Sequence, residues 1–159
     1  MDMNQKYGLS SFADNCEKEK YEGGVAIRDL FSVGPISQVR FAPSNLAEDG
    51  RSFVSHQWEY GGYFGWGTGN NPCNISTDYL DYSEFDDWGN YIEGRWRTLS
   101  RDEWFYIINQ RENAFRKVAA GTVNGVHGLI LLPDDGCLMP TGCTFNAGMN
   151  GWEGNIYIH

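Results

Sequence analysis

Residues 61 to 69 read GGYFGWGTG, five glycines and three aromatic rings in nine positions without a charge. Glycine weakens helix and strand alike, and aromatic rings need a packed surface, so no regular element suits this composition. The stretch predicts a glycine-rich loop laid over a core and pinned by buried rings, the kind of irregular surface that proteins use to bind something. It also opens a longer excursion. Residues 61 to 95 hold few aliphatics and many Gly, Asn, Asp, Tyr and Trp, and long irregular segments of that kind are uncommon unless they carry function.

Around this excursion the periodicities are short. LFSVG and SQVRFAP are β-type runs broken by GPIS, a hairpin-like pair. RSFVSHQWEY alternates Phe53, Ser55 and Gln57 against Val54, His56 and Trp58 as a strand does. The clearest local signal is TLSRDEWFYIINQR. Ser100 can cap a helix there, Glu103 is its capping-box partner, and Trp104, Ile107 and Ile108 share one face, with Leu99 placed to staple to Trp104. The spacing predicts one helix at about 101–112. Beyond it, Asn124-Gly125 between two apolar runs is a strong hairpin signal. The fold class expected is α+β: short, mainly antiparallel strands, one clear helix and long irregular loops. Residues 1–24 are polar, carry EKEK and end in EGG, and read as a mobile leader to a single domain over 25–159.

Charge and composition exclude more than they name. A formal net charge of -9 with 12 scattered basic residues argues against nucleic acid and anionic membranes. The longest apolar run, GLILLP, is far short of the ~20 residues of a membrane span. The N-terminus has no apolar stretch suited to a secretory signal, so the expected settings are the cell that makes the chain, a virion, or the cell surface or extracellular space as a piece of a longer exported protein. Cys16, Cys73, Cys137 and Cys143 lack paired metal-site spacing; free thiols are the plainer reading, although Cys137 and Cys143 can close a small loop in an oxidising compartment. Hydrophobic residues at 41% and aromatics at 15% describe a folded domain whose core leans on rings.

Two constellations remain as candidate sites. Asp78, Asp81, Glu84, Asp86 and Asp87 offer the oxygen ligands calcium prefers, but in no EF-hand order, so a solvated acidic loop is favoured and no cofactor is expected. The same carboxylates keep a carbohydrate hydrolase open as an alternative. No hydrolase motif appears, and His56, His127 and His159 are far apart. The second constellation is aromatic. Tyr60, Tyr63, Phe64, Trp66, Tyr79, Tyr82 and Trp88 stand among Gly, Asn and Asp, materials for holding sugars or proteins. Most of these rings are expected to hold the loop down, with one or two exposed. Tyr63, Trp66, Tyr79, Tyr82 and Trp88 are the candidate ligand-binding residues.

The ordered phrases LFSV, QVRFAPSNL, QWEYGG, FGWGTGNNP, WRTLSRDEWFYI, VNGVHGLILLPDD and GCTF resemble the Fibrobacter succinogenes major paralogous domain and related surface proteins of gut Bacteroidetes, from about Leu30 to Phe145. Those proteins look like relatives of the formylglycine-generating sulfatase-modifying enzymes, and the resemblance implies a C-type-lectin-like fold. Arg97, Leu99, Glu103, Trp104 and Tyr106 fall on matching residue types in the helix phrase. The resemblance also implies a further C-terminal half, absent from this sequence, that carries much of the ligand-displaying surface and the catalytic cysteines; Cys137 and Cys143 fall in no matching motif. The expectation is a shortened member, a fragment, or a subunit completed by a partner chain or by another copy of itself. Together these readings point to a non-enzymatic recognition or adhesion module of a bacterial surface or phage particle, or else to a structural subunit of a particle.

Overall fold

The computed structural model describes residues 18–21, 24–70, 72, 84–135, 143–145 and 156–158. Its strands pair two by two, always antiparallel. Strand β1 (Lys18–Tyr21) pairs with β2 (Gly24–Ile27), and β3 (Phe31–Ser32) with β4 (Gln38–Val39). Strand β5 (Val118–Val123) pairs with β6 (Val126–Leu131), and β7 (Cys143–Phe145) with β8 (Ile156–Ile158). The fold is small α+β, as the alternation of short β runs with one capped helix predicts. The first hairpin reaches back to Lys18, inside the stretch read as a polar leader.

Local chemistry explains the elements. Asn124 and Gly125 both have positive φ, 52° and 81°, the geometry of a two-residue turn whose twist matches the strands it joins. Helix α1 (Arg101–Phe105) starts with a complete capping box: Ser100 Oγ accepts from the Glu103 N–H at 3.2 Å, and Glu103 Oε2 accepts from the Ser100 N–H at 2.7 Å. The α-helical turns end earlier than 112. At Tyr106–Gln110 the helix widens into a π turn, closed by the Arg111 N–H on the Tyr106 carbonyl at 2.9 Å. Asn113 at φ 54° then turns the chain into a short 3-10 segment, Ala114–Arg116.

RSFVSHQWEY does not form the strand its alternation predicts. Phe53 makes one isolated antiparallel bridge, to Leu46, and residues 55–59 turn instead. His56 and Trp58 stack face to face at 4.3 Å, and the Glu59 N–H returns to the His56 carbonyl. Ring stacking at i, i+2 requires a bend, because an extended strand would hold two such rings about two residue rises apart.

The core gathers Ile27, Phe31, Val33, Leu99 and Ile107, with Val39, Phe41, Trp104, Ile108 and Leu131 packed on it. Its innermost members are chiefly aliphatic, and the rings form a shell: Phe31 meets Phe41 edge-on at 4.7 Å, and Phe41 meets Trp104 at 5.9 Å. The expected helix face of Trp104, Ile107 and Ile108 thus reaches the core together with Leu99. Two backbone bonds tie the hairpins over it: Ile27 N–H to the Phe41 carbonyl and Asp134 N–H to the Leu30 carbonyl, each 2.9 Å. Among the described residues no helix is long and apolar enough to cross a membrane.

Candidate binding cleft

One wall is built from the glycine-rich loop. Gly61 sits at φ 69° with its α-carbon against the Leu46 carbonyl, where any side chain would collide, and the Gly62 N–H donates to that same carbonyl at 2.8 Å. At the other end of the loop Thr68 and Asp86 form a parallel bridge, with Gly69 N–H to Asp86 O and Asp86 N–H to Gly67 O both 2.9 Å. The loop is therefore held by its backbone.

The rings divide: Phe64 and Trp88 are partly buried, and the Phe64 ring lies against Gly62. Tyr60, Tyr63 and Trp66 are all exposed, Tyr63 and Trp66 at 46% and 45%, where one or two exposed rings were expected. Glycine lets the backbone bonds of the loop form at close approach. Trp66 meets Phe85 edge-on at 6.0 Å, and Phe85 is itself half exposed.

The loop faces a cleft of about 880 Å³, within the ~300–1,000 Å³ that ligand sites commonly occupy. The segment after β4, with Arg40 and Phe41, and the approach to α1, with Arg95, Trp96 and Arg97, also line it. Phe53, also in the lining, meets Trp96 edge-on at 5.1 Å and Trp88 at 6.4 Å. Of the candidate ligand-binding residues, Tyr63, Trp66 and Trp88 line this one cleft. Tyr79 and Tyr82 lie outside the described residues. That the segment after β4 and the approach to α1 line the same cleft escapes sequence reasoning. Its only trace is arginine placed beside an aromatic, in VRF and in RWR.

The acidic constellation is divided. Asp78 and Asp81 lie outside the described residues, and Glu84 is exposed. Asp87 caps the 3-10 turn Trp88–Tyr91 by accepting from the Gly89 N–H at 2.9 Å, and also accepts from the Thr98 N–H at 2.9 Å and the Thr98 hydroxyl at 3.2 Å. It clamps the end of the irregular segment to the approach to α1. Asp86 accepts from the Tyr91 hydroxyl and from Asn90 Nδ2 at 3.3 Å, and that hydrogen bond raises the Tyr91 phenol pKa. Among the described residues, no three His, Cys, Asp or Glu side chains converge on a possible ion site, and Asp86 is the one carboxylate lining the cleft.

Arg97 pairs forward with Glu103 through two bonds, 2.6 and 2.7 Å. This bidentate pair holds the Glu103 carboxyl down to about 2, far below its usual range, and raises the Arg97 pKa in turn. The arrangement offers half-exposed rings, a fixed backbone and guanidinium groups around an open volume. Those are the parts of a binding surface. Compared with known proteins, the chain matches no family model, no curated protein and no solved structure.

Proposed function

We propose that the protein is a non-enzymatic recognition or adhesion module that holds a glycan or protein ligand in the aromatic cleft. The observation that carries this reading is the rigid presentation of Tyr63 and Trp66, half exposed, on a loop whose glycines fix the backbone against Leu46 and Asp86. An exposed ring on a preorganised loop loses little conformational freedom on binding, so its contact area is retained as affinity. The short antiparallel hairpins around one capped helix are compatible with a C-type-lectin-like arrangement. The resemblance to surface proteins of gut Bacteroidetes favours a bacterial envelope or a phage particle as the setting.

The test is a glycan array run beside a pull-down from gut bacterial envelopes. Retention of a saccharide or an envelope protein, lost on Trp66→Ala, supports the reading; silence in both with turnover of any substrate overturns it. The reading requires no cofactor. Melting in calcium and in chelator should give the same midpoint, because an ion held only by the folded state must raise it.

A further inference from the structure

We infer that the cleft takes an uncharged saccharide, one sugar ring lying on Trp66 and a hydroxyl of the saccharide donating to the Asp86 carboxylate. The inference rests on the recognition reading above and chooses between its two ligand classes.

Three observations lead to it. The first is that one short piece of backbone carries a ring and an acceptor together. The Asp86 N–H donates to the Gly67 carbonyl and the Gly69 N–H to the Asp86 carbonyl, each at 2.9 Å, so Asp86 is fixed beside the turn that presents Trp66, and both residues line the cleft. Gly69, at φ 69°, leaves the space the carboxylate fills, since a Cβ there would collide with Asp86 Oδ2. Trp66 is half exposed and braced edge-on by Phe85 at 6.0 Å. A sugar presents an apolar C–H face bounded by hydroxyls, and a ring with an acceptor beside it matches both. The second observation is acceptor capacity. Asp86 accepts from the Tyr91 hydroxyl on Oδ2 and from Asn90 Nδ2 on Oδ1 at 3.3 Å. An ionised carboxylate has about four acceptor positions, so these two donors hold it in place and leave it able to take a ligand hydroxyl. The third is the mixture of signs. Among the described residues the lining holds one carboxylate together with Arg40, Arg95 and Arg97, the last paired with Glu103, in a chain of formal net charge -9. An anionic ligand meets Asp86 and the field of the whole chain, and a cationic one meets the guanidinium groups, whereas a polyol donates and accepts with no charge to desolvate. A peptide helix is better served by a continuous apolar groove than by single rings among polar groups.

The experiment titrates the full chain by calorimetry with uncharged tetrasaccharides of glucose, mannose, galactose or xylose. A glucosamine tetramer, which is cationic, and a galacturonate tetramer, which is anionic, are run beside them. At least one uncharged tetrasaccharide should bind, and raising salt from about 0.05 to about 0.5 M should change its affinity by less than about twofold, because no charge pair forms with the ligand. Trp66→Ala should weaken that binding about tenfold, and Trp66→Phe, which keeps a ring, should restore most of the loss. Asp86→Asn keeps the shape and one oxygen to accept from Tyr91, but loses the charge and half of the acceptor positions, so it should weaken the same saccharide about tenfold with melting unchanged. Trp66 is half exposed, so its two variants decide the matter if Asp86→Asn melts early. Binding of the charged tetramers alone overturns the inference and leaves the recognition reading standing. A folded Asp86→Asn that binds as tightly as the wild type overturns it, and so does binding indifferent to Trp66→Ala, which places the saccharide elsewhere. Silence with every saccharide overturns it too, and the pull-down then decides the recognition reading by itself.

Discussion

The Arg111 guanidinium pairs with the Asp134 carboxylate inside the fold, Nη1 standing 3.4 Å from Oδ1, and so joins the exit of the helix to the exit of the β5–β6 hairpin. The arginine side chain is wholly buried and lies over the Phe31 ring. Its burial lowers its pKa, against the attraction of Asp134. Burial would raise the Asp134 pKa, but hydrogen bonds from Ser32 and Gln38, at 2.8 and 2.9 Å, together with the arginine charge leave it lowered. One carboxylate therefore ties the β3–β4 hairpin to the helix end. Asp134→Ala should cost about 3–5 kcal/mol, because it leaves a buried cation unpaired. Arg111→Met, which removes that cation and keeps an apolar stem, should cost clearly less. Urea unfolding of both variants with unchanged slopes checks the order, and equal midpoints would contradict this account.

Glu103 links stability to pH. Its folded pKa of about 2 lies below the ordinary 4.5, chiefly because Arg97 donates to it and the Ser100 N–H adds to the effect. A depressed carboxylate contributes stability that is fully present above the unfolded pKa and is lost as pH falls through the folded one. The window is therefore about 4.5 down to about 2. Half of the Arg97 side chain remains in solvent, so water screens the pair and the contribution should be about 1 kcal/mol. Melting midpoints of the wild type and Glu103→Gln should differ at pH 6 and converge toward pH 2. A constant gap across that range would show that the ionised pair is not the cause.

Two glycines separate space from backbone strain. Gly61 and Gly125 both have positive φ, 69° and 81°, but a Cβ at Gly61 meets the Leu46 carbonyl whereas at Gly125 it meets nothing within 4 Å. Gly125→Ala should cost only the left-handed penalty, about 1–2 kcal/mol. Gly61→Ala adds a collision with backbone that cannot rotate away, and should also disturb the cleft. Thermal melting of the two variants tests the contrast; similar losses at both sites would refute it.

The segment 151–159 contributes β8, which pairs with β7 in register Cys143↔Ile158 and Phe145↔Ile156 and also lies beside β5. The alternation of Ile156 and Ile158 predicts this strand. Deleting the segment leaves β7 as an open edge, so the truncated protein should melt lower and scatter more light, as uncovered edges template association. An unchanged monomer with an unchanged midpoint would mean that the ladder contributes nothing.

Local elements were legible wherever neighbouring residues settle the outcome. The capping box at Ser100 and Glu103 and the turn at Asn124-Gly125 are matters of a few adjacent dihedrals and hydrogen bonds, and the structure has both. Alternation was a weaker guide at RSFVSHQWEY, because stacking of His56 on Trp58 and turn formation win over an extended chain that has only one partner bridge.

The sequence by itself determined the α+β class, the capped helix, the long hairpin, and a glycine-rich loop carrying Tyr63 and Trp66. It did so because capping, turn chemistry and the absence of side chains act within a few residues. Only the tertiary structure decided that those rings stand exposed on a cleft that Arg40 and Arg95 also line, that Arg97 turns forward to Glu103, and that Asp87 holds Thr98. The lining of the cleft comes from segments tens of residues apart. Their meeting depends on how hairpins and loops close over the core of Ile27, Phe31, Val33, Leu99 and Ile107, a packing outcome that no local pattern encodes.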